Sequence, residues 1–516
     1  MTSQDSGQDE AGPASSASEH RAGGSLGPLS ILVLSSWCGL VAGLLEVGII
    51  LLRKRYADLN HFYGMSDQFV WLVPLGDLLI FVVVGLVLSL VVRCGMRGRR
   101  RATRVLATLA LLPLLWAAFP RIFGAALLLL AMGVAAWLVP ALERRAAGFA
   151  RLVRLSFPVA AGLLLILAGS CWAAGKLNEW REASRPLPSA TAPNVLLIVL
   201  DTVGAGHLSL FGYDRPTSRT IDELAGRGIC FKRAQATSSW TLPSHASMFT
   251  GRWPHELSTG WATPLDAAPP TVAEYLGARG YATAGFAANL AYCATDSGLA
   301  RGFTIYRDFI FPKLTVLYLT ALGSRLVDGF QGVESVFTYA TGNPVLRSPA
   351  DLVWRLFGKG RKDAALVNRE FLGWLSGRRQ RDRPFFAFLN FYDAHTPYEL
   401  PATGNRRFGT ARSNDRETDV IRDWNEISKR RPSRREIARA RDAYDNCVAH
   451  LDEQLGVLID ELKRRAVLER TWVIITADHG ESFGEHPGVF GHGTTLYQTE
   501  SHVPLVVIPP GGAAAP

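Results

Sequence analysis

The chain has 516 residues, of which 48% are hydrophobic, and a net charge of +10. The hydrophobic residues are concentrated before about residue 176, which is typical of a membrane domain and not of a soluble protein. The basic residues form arginine-rich stretches beside these apolar segments, which indicates membrane orientation and not nucleic-acid binding. The six cysteines form no Cys-x-x-Cys pair and no pattern of disulfides or a zinc knuckle.

Residues 1–26 are rich in Ser, Gly and acidic residues and are predicted to form a disordered tail. Residues 27–175 are predicted to form a transmembrane domain of about five helices. Each apolar segment has roughly the 20 residues that cross a bilayer, except the third, which is shorter. Only Pro120 and Arg121 separate the third segment from the fourth, which predicts a tight hairpin. The five segments cover residues 27–52, 68–92, 104–120, 122–142 and 155–175.

The basic loops predict the orientation of this domain. The loops at 97–101 and 143–154 are rich in arginine and are expected to face the cytoplasm. The amino terminus then lies inside the cell, and everything after about residue 176 lies outside the membrane. The basic run 53–55 falls on the other side and does not follow this rule.

Two carboxylates lie inside the membrane segments. Glu46 and Asp77 occur at similar depth in the first and second spans. Ionisable groups at such positions suggest function. The alternative is that Glu46 reaches toward Arg53 or Lys54 at the interface.

Residues 176–193 contain proline, serine and charged residues and are predicted to be a linker. Residues 194–516 then follow an α/β pattern, with 305–380 interpreted as an insertion. Four apolar runs are typical of buried parallel strands. Apolar residues at helical spacing over 434–466 predict a long amphipathic helix before the third of these runs. The runs are NVLLIVLD (194–201), FFAFLNF (385–391), TWVIITAD (471–478) and VPLVVI (503–508).

Acidic residues end two of these strands. Asp201 ends the first run, and Asp478 and His479 end the third. Ligands bind at the carboxyl ends of strands in open α/β sheets. Carboxylate and imidazole ligands suit a divalent transition metal, so a metal site is predicted here. The alternative is that these residues only cap helices or form turns.

The stretch SSWTLPSHASMFTGRWPHE (238–256) places Thr241 beside a predicted helix start at Pro243. The hydroxyl of Thr241 is either a helix cap or a nucleophile, and a metal beside it favours the nucleophile.

With these motifs the chain resembles the sulfatase branch of the alkaline phosphatase superfamily. The resemblance covers roughly residues 190–512 and implies a doubly wound α/β sandwich with a metal at the strand ends. The matching stretches are PNVLLIVLDTVGAGHLSLFGY (193–213), the stretch around Thr241, FYDAHTPY (391–398) and IITADHGESFGEHPGVFGHG (474–493).

The resemblance implies roles for individual residues. Thr241 takes the place of the family nucleophile and also contacts the metal. The metal ligands implied beside it are Asp201, Asp478 and His479. His395 and His492 match positions that contact the substrate or leaving group. Ser244, His245 and Asn390 are the further candidates for substrate binding.

Three departures refine the expected function. The Thr-Leu-Pro-Ser-His string lacks the Cys or Ser and the Arg of the sulfatase motif C/S-x-P-x-R. Thr202 follows Asp201 where sulfatases often have a second acid, and residues 283–293 contain no lysine–histidine clamp. The pattern looks like membrane-anchored transferases of phosphoethanolamine or phosphoglycerol, although Asn390 stands where those have a histidine. Family members also continue beyond a strand like 503–508, so the carboxyl-terminal part is expected to be truncated.

The expected protein is a membrane-anchored, metal-dependent hydrolase or transferase of sulfate or phosphate esters. Its cofactor is a divalent metal, with Zn or Mn favoured and Mg or Ca as alternatives. Its substrate is a sulfated or phosphorylated glycan, lipid or cell-envelope component, and its catalytic domain faces the periplasm or cell surface. The alternatives are a lipid-headgroup transferase, an inactive membrane sensor or scaffold, and a transporter that uses Glu46 and Asp77.

Overall fold

The computed structural model describes most of the chain. The predicted amino-terminal tail and much of the predicted insertion at 305–380 lie outside the described residues. The described residues are 27–58, 63–93, 99–310, 316, 319–325, 362–401, 404–409 and 432–512.

Five helices precede the α/β domain, and each is long and apolar enough to cross a membrane. The predicted hairpin is present, because residues 119–123 alone separate the third helix from the fourth. The fifth helix continues eight residues into the predicted linker, where Lys176 pairs with Glu179 one turn later. The linker therefore covers only residues 184–193. The helices are α1 (Pro28–Tyr56), α2 (Phe69–Arg93), α3 (Arg99–Ala118), α4 (Gly124–Arg144) and α5 (Ala146–Ala183).

Helices α1 and α2 pack closely because glycines face the contact. A Cβ atom at Gly43 would lie 2.5 Å from the Cα atom of Pro74, so only glycine fits there. This packing buries Glu46 and Asp77 completely. Glu46 Oε1 accepts a hydrogen bond from the backbone N–H of Ala321 at 2.9 Å, so it does not reach toward the basic residues at the end of α1.

Those basic residues have other partners. Lys54 Nζ lies 2.9 Å from Asp296 Oδ2, and Arg53 pairs with Asp58. The basic run that departs from the orientation rule is therefore partly neutralised by acids beside it.

A seven-stranded sheet forms the centre of the second domain, in the order β2-β9-β6-β1-β5-β3-β4. The strands β6, β1, β5, β3 and β4 are parallel to one another. A separate hairpin is made by β7 and β8. The strands are β1 (Asn194–Leu200), β2 (Ile229–Cys230), β3 (Ala282–Ala287), β4 (Ile305–Arg307), β5 (Phe385–Phe391), β6 (Thr471–Thr476), β7 (Ser482–Phe483), β8 (Phe490–Gly491) and β9 (Leu505–Ile508).

Helices cover both faces of this sheet, as expected for a doubly wound sandwich. One face packs on α6, α9 and α10, and the other packs on α7. Side chains of β1 alternate between the two faces, with Leu196 and Ile198 on the first and Val199 on the second. The helices are α6 (Arg219–Ala225), α7 (Thr241–Thr250), α8 (Val272–Ala278), α9 (Ala364–Gly377), α10 (Arg434–Arg464) and α11 (Gln498–Ser501).

The run at 503–508 was expected to be a parallel strand, but β9 runs antiparallel to β6. The reason lies in the connection. A parallel return needs a crossover, usually a helix of several turns, whereas residues 477–504 contain only the short hairpin and the four-residue α11.

The turn after α10 generates a stability prediction. Ala466 has φ of +53°, a left-handed conformation that favours glycine. Ala466→Gly should therefore raise the free energy of unfolding by about 0.5–1 kcal/mol. The exposed Ala438 inside α10 is the matched control, since Ala438→Gly should lower stability by about 1 kcal/mol. Chemical denaturation of both variants measures this, and a destabilised Ala466→Gly variant would contradict it.

Candidate metal centre and active site

The carboxyl ends of β1 and β6 bring three predicted metal ligands together. The two strands are parallel neighbours, so Asp201, one residue after β1, and Asp478, two residues after β6, emerge at the same edge. Ligand atoms of Asp201, Asp478 and His479 lie within 4.8 Å of one another, and all three residues are buried. These residues could hold a metal ion, as the sequence predicted.

Each carboxylate has one anchored oxygen and one free oxygen. Asp201 Oδ2 accepts hydrogen bonds from the amide groups of Asn289 at 2.9 Å and Asn390 at 3.2 Å. Asp478 Oδ1 accepts from the backbone N–H groups of Thr202 at 3.1 Å and His479 at 2.9 Å.

The free oxygens show how this site fits a cation. Asp201 Oδ1 and Asp478 Oδ2 are buried and have no hydrogen-bond partner among the described residues. Buried anionic oxygens without a donor are unfavourable unless a cation or a proton neutralises them. The donor set therefore fits a divalent metal.

The pKa values of these groups follow from burial. Burial, with the nearby Asp478, raises the pKa of Asp201 to about 6, and burial also raises the pKa of Asp478. Burial, with the nearby His492, lowers the pKa of His479 to about 4. His479 is therefore neutral near pH 7. Its Nδ1–H donates to the carbonyl of Gly480 at 3.0 Å, which leaves the Nε2 lone pair free to bind a metal.

Thr241 lies beside His479 at the start of α7. Its Oγ1 is 3.4 Å from His479 Nε2, and the residue is only 2% exposed. The helix begins at Thr241 itself, and Pro243 is its third residue. Trp240 is the N-cap residue, and no side-chain hydrogen bond caps this helix among the described residues. The structure therefore does not support the alternative that Thr241 is a helix cap.

The candidate substrate-binding residues Ser244, His245 and Asn390 are buried around this centre. Ser244 Oγ donates to the carbonyl of Asp478 at 2.6 Å, and His245 Nδ1–H donates to the carbonyl of Thr241 at 2.8 Å. Asn390 holds Asp201. These contacts favour a supporting role, and direct contact with substrate stays a prediction for all three.

His395 and His492 extend the centre outward from His479. The ring of His492 stacks on His479 with centroids 4.5 Å apart, and the ring of His395 lies edge-on to His492 at 4.9 Å. His492 Nδ1 bonds Glu481 Oε2 at 3.1 Å. Burial lowers the pKa of His492, but the carboxylates of Glu481, Asp201 and Asp478 together outweigh burial and raise the pKa to about 9.

Sequence analysis missed several supporting residues. Asn289 lies in the stretch 283–293, which lacks the lysine–histidine clamp and was therefore assigned no site residue. Glu481 lies in the Asp-His-Gly-Glu string and received no role. Tyr444 donates a hydrogen bond to the carbonyl of Thr202 at 2.7 Å, and Thr202 has φ of +64°, which is rare for a β-branched residue. No residue type in the sequence signals such a conformation at that position.

The loop that carries Asn289 also contacts the membrane domain. Asp296 accepts hydrogen bonds from the backbone N–H groups of Tyr63 at 2.7 Å and Met65 at 2.9 Å, besides its pair with Lys54. The connection between α1 and α2 is therefore fixed to the loop that supports the metal centre.

Fold and site define an α/β domain of the alkaline phosphatase type that follows a five-helix membrane segment. A family model described as Sulfatase matches residues 193–515. The chain belongs to the sulfatase family.

Individual relatives share modest identity with the chain. Arylsulfatase K from Bos taurus is 25% identical over 377 residues, which cover 67% of this chain and 63% of the relative. An N-acetylgalactosamine-6-O-sulfatase from Bacteroides thetaiotaomicron is 38% identical over 97 residues, which cover 18% of this chain and 19% of the relative. The chain thus spans less than two thirds of the length of these curated relatives.

A solved structure with a similar arrangement is the C-terminal periplasmic domain of the phosphoethanolamine transferase EptC from Campylobacter jejuni. It is 16% identical, with a TM-score of 0.41, over 61% of this chain and 78% of that chain.

The tyrosine behind the site generates a prediction. Tyr444→Phe removes a donor to the carbonyl of Thr202 and an acceptor for the N–H of Gly204. Two buried backbone groups then lose a partner, which should cost about 1–3 kcal/mol of stability. The loop that orients Asp478 loosens too, so affinity for a divalent metal should fall roughly 10-fold. Calorimetric titration with Zn²⁺ or Mn²⁺ measures this, with the exposed Tyr275→Phe as control. Unchanged metal affinity in Tyr444→Phe would show that the hydroxyl does not position the site.

Proposed function

We propose that the chain is a membrane-anchored, metal-dependent enzyme that hydrolyses or transfers sulfate or phosphate esters, with Thr241 as its nucleophile. The observation that carries this proposal is the position of the Thr241 hydroxyl, 3.4 Å from His479 Nε2 and beside two carboxylates with free oxygens. A hydroxyl needs activation to act as a nucleophile, and this position supplies it.

Asp201, Asp478 and His479 would hold the metal, and Thr241 Oγ1 would complete the set. The imidazole ligand favours Zn or Mn over Mg or Ca. When bound, a divalent metal polarises an ester oxygen and lowers the pKa of a nearby hydroxyl.

The residues of the chain carry the remaining steps. Thr241 Oγ1 releases its proton to solvent, attacks the phosphorus or sulfur atom and forms a covalent ester while the bond to the leaving oxygen breaks. His492, held protonated by Glu481, donates a proton from Nε2 to that oxygen, and His395 stabilises its charge. Water or a second alcohol then attacks the ester on Thr241 and gives its proton to His492, while the released Thr241 oxygen takes up a proton from solvent.

The nucleophile favours one of the two ester classes. Threonine cannot be converted to the formylglycine of sulfatases, so Thr241 acts as an ordinary hydroxyl that forms a phosphoester. The attachment of Asp296 to the α1–α2 connection keeps the site close to the membrane surface. Transfer of a phosphorylated lipid headgroup, of the phosphoethanolamine or phosphoglycerol type, is the specific activity that we favour.

An inactive sensor or scaffold is the weaker alternative. Such a protein does not need two buried carboxylates with free oxygens next to a neutral histidine. It also does not need a threonine hydroxyl beside them that takes no part in capping the helix. Metal content of the purified protein together with its activity on generic ester substrates separates the two functions.

The proposed activity requires an extracytoplasmic domain. The arginine-rich loops at 97–101 and 143–154 favour a cytoplasmic location for the amino terminus and for the connection between α2 and α3. An alkaline phosphatase reporter fused after Ser189 should be active, whereas the same reporter fused after Arg101 should be inactive. The reversed pattern would place the domain in the cytoplasm and remove its access to extracytoplasmic esters.

Replacement of the nucleophile tests the mechanism. Thr241→Ala should lower turnover of aryl phosphate or aryl sulfate substrates by at least about 10³-fold, because the covalent ester cannot form. Thr241→Ser should retain part of the activity, since it keeps the hydroxyl.

The control for this test is Thr250→Ala, on the same helix. The Thr250 hydroxyl bonds the carbonyl of Ala246 outside the site, so this variant should keep wild-type rates. Mass spectrometry of the quenched wild-type enzyme should detect an adduct on Thr241. Wild-type rates in Thr241→Ala would end the proposal.

A further inference from the structure

We propose that a basic cavity at the amino-terminal ends of the strands, opposite the candidate metal centre, is a second binding site. This site takes a phosphoryl group. The cavity has a volume of about 570 Å³, and we call it the arginine pocket. The guanidinium groups that line it belong to Arg378, Arg381, Arg464, Arg465 and Arg470.

The arginine pocket is separate from the metal centre. It is lined by Asn194 and Phe385, the first residues of β1 and β5, and by Arg470, just before β6. The metal centre lies at the other ends of the same strands. A strand of seven residues is about 20–23 Å long, so one small substrate cannot occupy both places.

The protein neutralises only part of the positive charge in the pocket. Asp382 is the single carboxylate among the lining residues. Glu461, just outside, pairs with Arg464 and Arg465 at 2.6 Å. No ion pair within 4.0 Å joins Arg378, Arg381 or Arg470 to a carboxylate in the described part of the chain. An anion bound in the cavity would reduce the electrostatic repulsion among these guanidinium groups.

Two of the guanidinium groups are already fixed in position. Arg378 lies 5.3 Å from the ring centroid of Trp374 and 5.4 Å from that of Phe385, and it donates to the carbonyls of Gln380 and Arg383. Arg465 Nη1 donates to Ser376 Oγ at 2.7 Å. Burial lowers the pKa of Arg378 to about 10, although the nearby Glu182 carboxylate acts in the opposite direction. Arginines held in this way offer paired N–H donors to phosphate oxygens with little loss of entropy.

The position of the pocket suggests two sources for the phosphoryl group. The loop that carries Arg378 and Arg381 is tied to the end of α5, since Gln380 Nε2 donates to the carbonyl of Ala183 at 3.2 Å. Ala183 is eight residues past the end of the apolar segment at Gly175, which is about 12 Å along the helix. An anionic lipid headgroup and a soluble phosphate are therefore both within reach.

Calorimetry on the full-length chain in detergent micelles tests the inference. Inorganic pyrophosphate is the probe, and EDTA is present so that the metal centre cannot bind it. The wild-type protein should bind one pyrophosphate, and the double variant Arg381→Gln, Arg470→Gln should bind it at least 10-fold more weakly. The pair Arg219→Gln, Arg252→Gln is the matched control, because it removes two exposed arginines elsewhere and should leave the affinity unchanged.

A second arm distinguishes the sources. The wild-type protein is reconstituted into nanodiscs of phosphatidylcholine with or without phosphatidylglycerol, and the shift of its thermal unfolding is measured. A stabilisation by phosphatidylglycerol that the double variant loses assigns the pocket to lipid headgroups, and pyrophosphate binding alone assigns it to soluble phosphates.

The variant also reports on its own folding. Because the double variant loses two charges that repel their neighbours, its unfolding temperature without ligand should be unchanged or higher than that of the wild-type protein. If the double variant unfolds at a lower temperature, the single variant Arg470→Gln is used in its place. Equal pyrophosphate affinity in the wild-type and variant proteins, or no binding together with no response to phosphatidylglycerol, overturns the inference.

Discussion

The buried pair of Asp201 and Asp478 is the constraint on which the rest of the site depends. Their ligand atoms lie within 4.8 Å, so two ionised groups would repel by at least about 3 kcal/mol at an effective dielectric constant of 20. The structure anchors one oxygen of each carboxylate with hydrogen bonds from Asn289, Asn390, Thr202 and His479, and leaves the other oxygen bare. This arrangement is unfavourable unless a cation or a proton neutralises the bare oxygens.

Much of this centre was predictable, because its signals are local. A buried strand is a short apolar run, so the acids that follow 194–200 and 471–476 can be recognised in the sequence. Parallel pairing of the two strands then brings these acids to the same end of the sheet. Other features depend on contacts that are distant in sequence. Asn289 donates a hydrogen bond to Asp201, which is 88 residues away in the sequence. The residues next to Asn289 in the sequence give no indication of this contact. Thr202 has a left-handed conformation and receives a hydrogen bond from Tyr444, which is distant in sequence. An apolar run such as 503–508 carries no information about the direction of its strand.

The membrane and α/β domains are joined through the loop that supports the site. Asn289, which holds Asp201, and Asp296, which holds the α1–α2 connection, are seven residues apart in this loop. The backbone N–H of Cys293 bonds the carbonyl of Asn289, which makes the intervening segment compact. A displacement of the membrane helices would therefore reach the amide that positions the first metal ligand. The membrane domain thus supports the candidate metal site through this loop.

The same reasoning explains the buried carboxylates in the membrane. Glu46 and Asp77 face each other where α1 and α2 approach through glycines, and the backbone of Ala321 donates to Glu46 there. Because Ala321 lies between β4 and α9, this contact is a second attachment between the two domains. A carboxyl group that accepts a hydrogen bond from an incoming chain is a specific anchor, since an apolar side chain at the same position could not satisfy the N–H of Ala321. The two attachments act on different parts of the α/β domain, and together they resist rotation about either one.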